Sequence, residues 1–249
     1  MSSARFVSRP LESGLFGQPI YAAQATSVSE IDALLEEAPS LERGLIVVRL
    51  PSHALAAAQR LEESGGRLCD ILLTMSCQLH AGDVVSCPSL PDVVVRHGRA
   101  LDAAGLHALG ERAFEGFVGH WHLDDRLPAH LADKLYAQWA ADLARAASDG
   151  RPLFVAETLD GDVAGFLALA CLGDRRWHVP LTAVDPVHRG RGVVRALLAT
   201  AMAELAARGE LHLDYETQLS NRAALRSVAR CGLAPSTSRL TFHLWTSPQ

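Results

Sequence analysis

The sequence predicts an α/β chain in two parts: a smaller N-terminal α/β lobe over 1–88 and a larger α/β domain over 92–249. Three observations carry this reading. Buried-strand runs rich in β-branched residues, such as Gly44–Leu50 (GLIVVRL), alternate with stretches whose apolar residues recur at helical spacing. A short polar stretch with two prolines, Ser86–Asp92 (SCPSLPD), then interrupts the pattern as a linker. Beyond it the alternation restarts at Val93 and continues to Trp245.

Taken in order, Pro19–Gln24 reads as a short extended strand. Ser29 is the expected cap of EIDALLEEA, whose Ile31, Leu34 and Leu35 share one face and which Pro39 ends. Gly44–Leu50 follows as a strand, and His53–Ser64 as a helix stopped by Gly65-Gly66. Arg67–Leu79 is strand-like, with Leu68, Ile71 and Leu73 among polar residues. In the larger domain, Val93–Val95 is a strand, Asp102–Phe114 a helix, Gly116–Pro128 an aromatic, His-bearing loop, and Pro128–Ala147 a second helix. Strands Leu153–Glu157 and Val163–Leu172 flank the turn Leu159–Asp162, and Trp177–Val184 is a further strand. A helix from about Gly192 to Arg208, strand Leu211–Thr217, helix Asn221–Cys231 and strand Ser238–Trp245 complete the order.

Composition narrows the function classes. A chain of 249 residues with 49% apolar residues buries a substantial core. Its net charge of −5 counts against nucleic acid, where affinity rests on neutralised phosphates. No run reaches the ~20 apolar residues of a membrane span, and MSSARFVSRPLESG holds no signal-peptide core. The expectation is a cytoplasmic protein with no membrane partner. Lys occurs once, at Lys134, so any polyphosphate ligand must be held by Arg and backbone amides. The five Cys contain no C-x-x-C and read as reduced thiols. His120-Trp-His122 with Asp124-Asp125 lacks a third ligand at a usual spacing, so no metal is expected.

The chemistry concentrates in Leu181–Leu198 (LTAVDPVHRGRGVVRALL). A β-branched strand ends at Val184, Asp185-Pro186 turns the chain, and Arg189-Gly-Arg-Gly192 leads into an amphipathic helix. A helix start offers unpaired N–H groups and a positive dipole end, and two glycines permit close approach; together they suit a pyrophosphate. There is no Gly-Lys-Ser/Thr and no G-x-G-x-x-G.

V-D-P-x-x-R-G-x-G between a strand and an amphipathic helix resembles the coenzyme A pyrophosphate loop of the GNAT acyltransferase superfamily. Strand LHLDYETQ, then Asn221-Arg-Ala-Ala224 and Gly232-Leu233, is similar to that superfamily's N-x-x-A…G-F signature, and the element order from Val93 also matches. The resemblance implies a GNAT fold, a mixed, mostly antiparallel central sheet flanked by helices. It also implies acetyl-CoA (or another acyl-CoA) as co-substrate, a small-molecule amine as partner, and an N-acyltransferase compatible with a homodimer. CoA contact falls on Val184, Arg189, Gly190, Arg191, Gly192, Val193, Val194 and Asn221. His178 and Glu216, on the strands flanking the thioester, are candidate proton acceptors, with satisfied strand residues as the alternative for both. Glu12–Gly17 (ESGLFG), Tyr136-Ala-Gln-Trp139 and Thr217-Gln218 resemble amino-sugar-nucleotide N-acetyltransferases of the TDP-fucosamine type, whose acceptor is a nucleotide-linked (TDP) amino-deoxy sugar. On that topology His120, Trp121, His122 and Tyr136 line the acceptor site; covering a junction between lobes is the alternative for the His-Trp-His loop, and core packing is the alternative for Tyr136.

Two departures from the family pattern stand out. Val194 occupies a Gly or Ala position of the loop. Val228 occupies the position where the family often has a Tyr that protonates the departing thiolate, a role left to Ser227, Tyr215, Cys231 or water. Two further functions therefore stay open: transfer to an amino acid, an antibiotic amine or a carrier-bound group, and a non-catalytic acyl-CoA-binding module.

Overall fold

The computed structural model describes residues 6–80, 90–147 and 151–246. Most of the expected linker, residues 86–89, lies outside the described residues. By contact the described chain groups into two units, one of 6–73, 118–135 and 237–246, the other of 74–80, 90–117, 136–147 and 151–236. This grouping differs from the 1–88 and 92–249 division drawn from composition, because 118–135 and 237–246 join the N-terminal residues.

The first unit holds strands β1 (Val7–Ser8), β2 (Ile20–Gln24), β3 (Leu45–Pro51), the start of β4 (Arg67–Gln78) and most of β12 (Ala234–Trp245). Their order is β1-β2-β3-β12-β4. β2 and β3 pair in parallel, as a crossover helix between them requires. β12 runs antiparallel to β3 with His243 opposite Val47. Helices α2 (Val28–Glu37) and α3 (Leu55–Glu63) bury Ile31, Leu34 and Leu61 in one core with Val48, Leu50 and Phe242.

Two local expectations change here. Helix α1 (Pro10–Phe16) was not legible; Pro10 opens it, and Gly17 closes it at φ 68°, a left-handed conformation suited to glycine. The cap of α2 is Ser27, not Ser29: its Oγ accepts the Glu30 N–H at 3.3 Å, while the Glu30 carboxylate accepts the Thr26 N–H at 2.6 Å. Ser29 lies inside the first turn.

In the second unit, β5 (Val93–His97), β6 (Leu153–Thr158), β7 (Val163–Ala168) and β10 (Thr182–Val184) form an antiparallel sheet ordered β10-β7-β6-β5. The order β4-β11-β9-β8 adds β8 (Ala170–Gly173), β9 (Arg176–Val179) and β11 (His212–Gln218). Helices α4 (Ala103–Ala113), α5 (Ala129–Ala146, in this unit from Tyr136), α6 (Val193–Ala207) and α7 (Arg222–Ala229) accompany them. Leu106, Leu109 and Ala140 pack with Val155, Phe166 and Leu181. The sheets are mixed and mostly antiparallel, as expected; β2–β3 and β9–β11 are the parallel exceptions among the registered pairs.

The two long strands expected at Val163–Leu172 and Trp177–Val184 are each broken. The β6–β7 ladder stops at Leu169, whose N–H donates in register to Pro152 O at 2.9 Å but receives no bond back because Pro152 lacks an N–H, and Pro180 likewise has no N–H to donate. One expected hairpin thus serves two sheets, β7 with β10 and β8 with β9.

Candidate active site

The break at Pro180 builds the site. β9 and β11 run parallel from Arg176 opposite His212 to Val179 opposite Tyr215. The chain then leaves for β10, which pairs with Gly165–Leu167 of β7, while β11 continues to Gln218. Two strands that start as neighbours therefore diverge, leaving a wedge between Thr182–Val184 and Glu216–Gln218. On its paired side, Leu181 O accepts the Ala168 N–H at 3.0 Å and the Asp185 N–H donates to Ala164 O at 2.9 Å. The alternation of the ladder turns the backbone groups of Thr182 and Val184 toward the unpaired edge. Such an edge accepts an extended amide chain as it would another strand.

At the end of β10 stands an anion cradle. Asp185 is buried, and its carboxylate accepts the Val187 N–H at 3.1 Å, starting the turn Pro186–His188. Gly192 then takes φ 98° as the N-cap of α6, with no side chain capping the helix. The first-turn amides of α6 have no intrahelical acceptor and lie at the positive dipole end. The helix body is fixed by buried Val193, Leu197, Leu198 and Met202. Gly165 lets it approach: a Cβ there would lie 2.9 Å from Ala183 O and 3.0 Å from Val193 Cγ1. These residues fit a diphosphate followed by an extended amide arm, the shape of an acyl-CoA.

The expected contact residues divide into several kinds. Gly190 (φ 77°) and Gly192 shape the loop, and Arg191 is exposed beside it. Val193 is buried and Val194 half-buried, so what they offer an anion is their N–H groups. The Arg189 guanidinium donates to Ala113 O at 2.6 Å and to Val184 O at 3.3 Å. Asn221 caps α7, accepting the Ala224 N–H at 3.1 Å and donating to Thr217 Oγ1 at 3.2 Å, which ties the helix to the end of β11.

His178 and Glu216 share one face of β9 and β11 by the parallel register, together with Asp214, which stands opposite His178. Asp214 is already engaged, by Arg176 Nε at 2.6 Å and Ser76 Oγ at 2.6 Å. Ser227 is half-buried and donates to Ala223 O at 3.0 Å, a bond within its own helix. Tyr215 is buried, and desolvation raises its phenol above the usual range. Val228 is fully buried. A Val228→Tyr variant therefore overpacks a closed site and is expected to lose about 1–3 kcal/mol of stability in urea denaturation.

His120, Trp121 and His122 lie in the first unit on a short 3₁₀ turn, His120–Leu123. His120 is 8% and Trp121 5% exposed. The Trp121 ring packs 5.5 Å from that of Phe16. His120 Nδ1 lies 2.8 Å from His243 Nε2, and His243 Nδ1 lies 2.9 Å from Asp124 Oδ2. His122 accepts the Gly119 N–H at 3.1 Å and lies 3.1 Å from Asp133 Oδ1. These contacts spend the three side chains within their own unit. Tyr136, in the second unit, stacks on Phe114 at 4.6 Å. Among the described residues no group of three His, Cys, Asp or Glu is arranged to hold a metal ion.

Burial, then the neighbouring His243, holds the His120 imidazole well below its ordinary value of 6.5. The unfolded chain takes up this proton first, so the contribution is present above pH 6.5 and is lost as pH falls below it. The urea midpoint is expected to drop between pH 7.5 and 5.5, with His120→Gln flattening that dependence; a midpoint equally steep in the variant contradicts the assignment.

The Arg112–Asp185 pair was not anticipated. Arg112 Nε lies 2.8 Å from Asp185 Oδ2, and Arg112 holds that carboxylate against the burial that alone would raise its pKa. The V-D-P string gives a turn but no hint of a partner on another helix.

The Acetyltransferase (GNAT) family matches residues 117–233. The dTDP-fucosamine acetyltransferase of Escherichia coli O6:H1 is 29% identical over 133 residues, 53% of this chain and 54% of that protein. The streptothricin acetyltransferase of Streptomyces lavendulae is 38% identical over 85 residues, 32% of this chain and 43% of that protein. The chain thus matches about half the length of these curated relatives. In fold it is similar to GCN5-related N-acetyltransferases from Sphaerobacter thermophilus (TM-score 0.61, 16% identity, 88% of this chain and 65% of that one) and Kribbella flavida (TM-score 0.61, 15% identity, 90% and 80%).

Proposed function

We propose, from the match of residues 117–233 to the Acetyltransferase (GNAT) family, that the chain is an acetyl- or acyl-CoA-dependent N-acyltransferase acting on a small amine. The acceptor assigned here is the amino group of a nucleotide-linked (TDP) amino-deoxy sugar. The observation that carries the reading is the wedge between β10 and β11 with the uncapped start of α6 at its end. The fucosamine relative supports the acceptor; the streptothricin relative makes an antibiotic amine the second candidate.

Bound acetyl-CoA supplies the acyl group as a reactive thioester. The α6 amides hold its diphosphate, and the outward backbone groups of Thr182 and Val184 align its amide arm. A backbone N–H at this edge steadies the negative charge that develops on the carbonyl oxygen. In this reading His178 and Glu216 are the candidates to take the proton that the amine releases as its nitrogen attacks and the carbon–sulfur bond breaks. With Val228 apolar and buried, the thiolate's proton falls in this reading to Ser227, Tyr215, Cys231 or water.

Free-thiol release from acetyl-CoA, measured with a TDP-linked amino sugar, a streptothricin-type amine and simple amino acids, tests this. Release above background with the nucleotide sugar is the expected result. Release only with the antibiotic amine changes the acceptor. Binding of acetyl-CoA with no release from any amine overturns catalysis in favour of a binding module.

A further inference from the structure

We propose that Arg112, on the last turn of α4, is a positioning residue for the anion cradle, acting through Asp185 rather than on the ligand. The proposal rests on the acyl-CoA reading above. The last turn of α4 grips the cradle at two points. Arg112 meets Asp185 with Nε at 2.8 Å and Nη2 at 2.7 Å, and the next residue, Ala113, offers its carbonyl to Arg189 Nη2 at 2.6 Å. Asp185 and Arg189 are the two ends of the turn that precedes Gly190 and Gly192.

Between these ends Asp185 is held on every side. Its N–H donates to Ala164 O, its Oδ1 accepts from Val187, and its Oδ2 faces Arg112. Arg189 Nε also reaches back to Val184 O at 3.3 Å, so the loop is tied to the strand it leaves. Rotation of the turn would move the amides of Gly190–Val194 as a body. There is an electrostatic consequence as well. The Asp185 side chain is 8% exposed and belongs to the loop that receives a polyanion. Without a partner its charge opposes the diphosphate; Arg112 cancels it without occupying the cradle.

The test uses Arg112→Gln, Arg112→Lys and the double variant Arg112→Gln/Asp185→Asn in the full chain. Arg112→Gln is expected to raise the Kd and KM for acetyl-CoA roughly tenfold, leaving kcat at saturating acetyl-CoA within about twofold. Asp185→Asn on that background removes the uncompensated charge and is expected to recover most of the affinity, and Arg112→Lys retains part of it. In ligand-free Arg112→Gln, the amides of 186–194 are expected to exchange faster with deuterium than in the parent chain. Unchanged affinity in Arg112→Gln overturns the proposal. So does a loss that Asp185→Asn fails to recover while the amides of 186–194 exchange at the parent rate, because Arg112 then touches the ligand itself. A parent chain that does not bind acetyl-CoA removes the transferase reading instead; the exchange rates of the ligand-free chains then decide the grip of α4 on the loop alone.

Discussion

A Gly192→Asp variant is expected to stay folded and to lose acetyl-CoA affinity by about a hundredfold or more. Gly192 is the N-cap of α6 at φ 98°, and no side chain caps that helix. Asp tolerates positive φ better than most residues, although φ 98° strains any residue with a Cβ and is expected to cost about 1–2 kcal/mol in the melt. Its carboxylate would accept the first-turn amides and satisfy the helix dipole, which protects the fold. Those are the same amides assigned to the diphosphate, so the variant carries its own competing anion. Isothermal titration beside a thermal melt separates the two effects. Undiminished affinity in a folded Gly192→Asp chain would remove the start of α6 as the anion site.

The largest stability loss is expected at Asp124, far along the sequence from that loop. Its side chain is fully buried and accepts from His243 Nδ1 at 2.9 Å, Trp245 Nε1 at 2.8 Å and Arg126 Nε at 2.9 Å. Burial alone would raise the carboxyl; the bonds from His243, Arg126 and Trp245 hold it below the usual carboxylate range instead. Asp124→Ala strands these donors without an acceptor and is expected to cost about 3–5 kcal/mol in urea denaturation. Asp124→Asn keeps one acceptor oxygen and should cost less. A loss below about 1 kcal/mol in Asp124→Ala would show that the donors find water or other partners.

The elements of regular structure were legible where local pattern decides them. GLIVVRL is a strand and VVRALLATAMAELAA a helix in any context that buries them. Pattern failed where two partners compete for one stretch. Trp177–Val184 carries continuous strand character, yet Pro180 divides it between neighbours in different sheets, and only the pairing reveals this. The same limit applies to charge. Arg189 stands beside Gly190 in the sequence, yet its guanidinium also donates to the carbonyl of Ala113, on a helix more than seventy residues earlier, a partner no local rule supplies. His120 and Trp121 read as a loop's binding groups; their burial and partners come from Phe16 and His243, which no local rule connects to them. Gly192 could be placed because its role depends only on the helix that follows it.

The antiparallel pairing of β3 with β12 also bears on how the protein is made. Gly44 and Thr246, bonded at 2.8 Å, are 202 residues apart, and Leu240, Phe242 and Leu244 complete a core whose other buried members lie between Ala23 and Leu61. During synthesis those first residues leave the ribosome with an open edge on β3 and a core that α2 and α3 cover but that still lacks Leu240, Phe242 and Leu244. They must wait for nearly the whole of the second unit to be translated. Contacts of such separation make folding slow and leave the nascent chain exposed to aggregation. Chaperone dependence during expression, and failure of any fragment that stops before residue 237 to protect the amides of β3, follow from that one pairing.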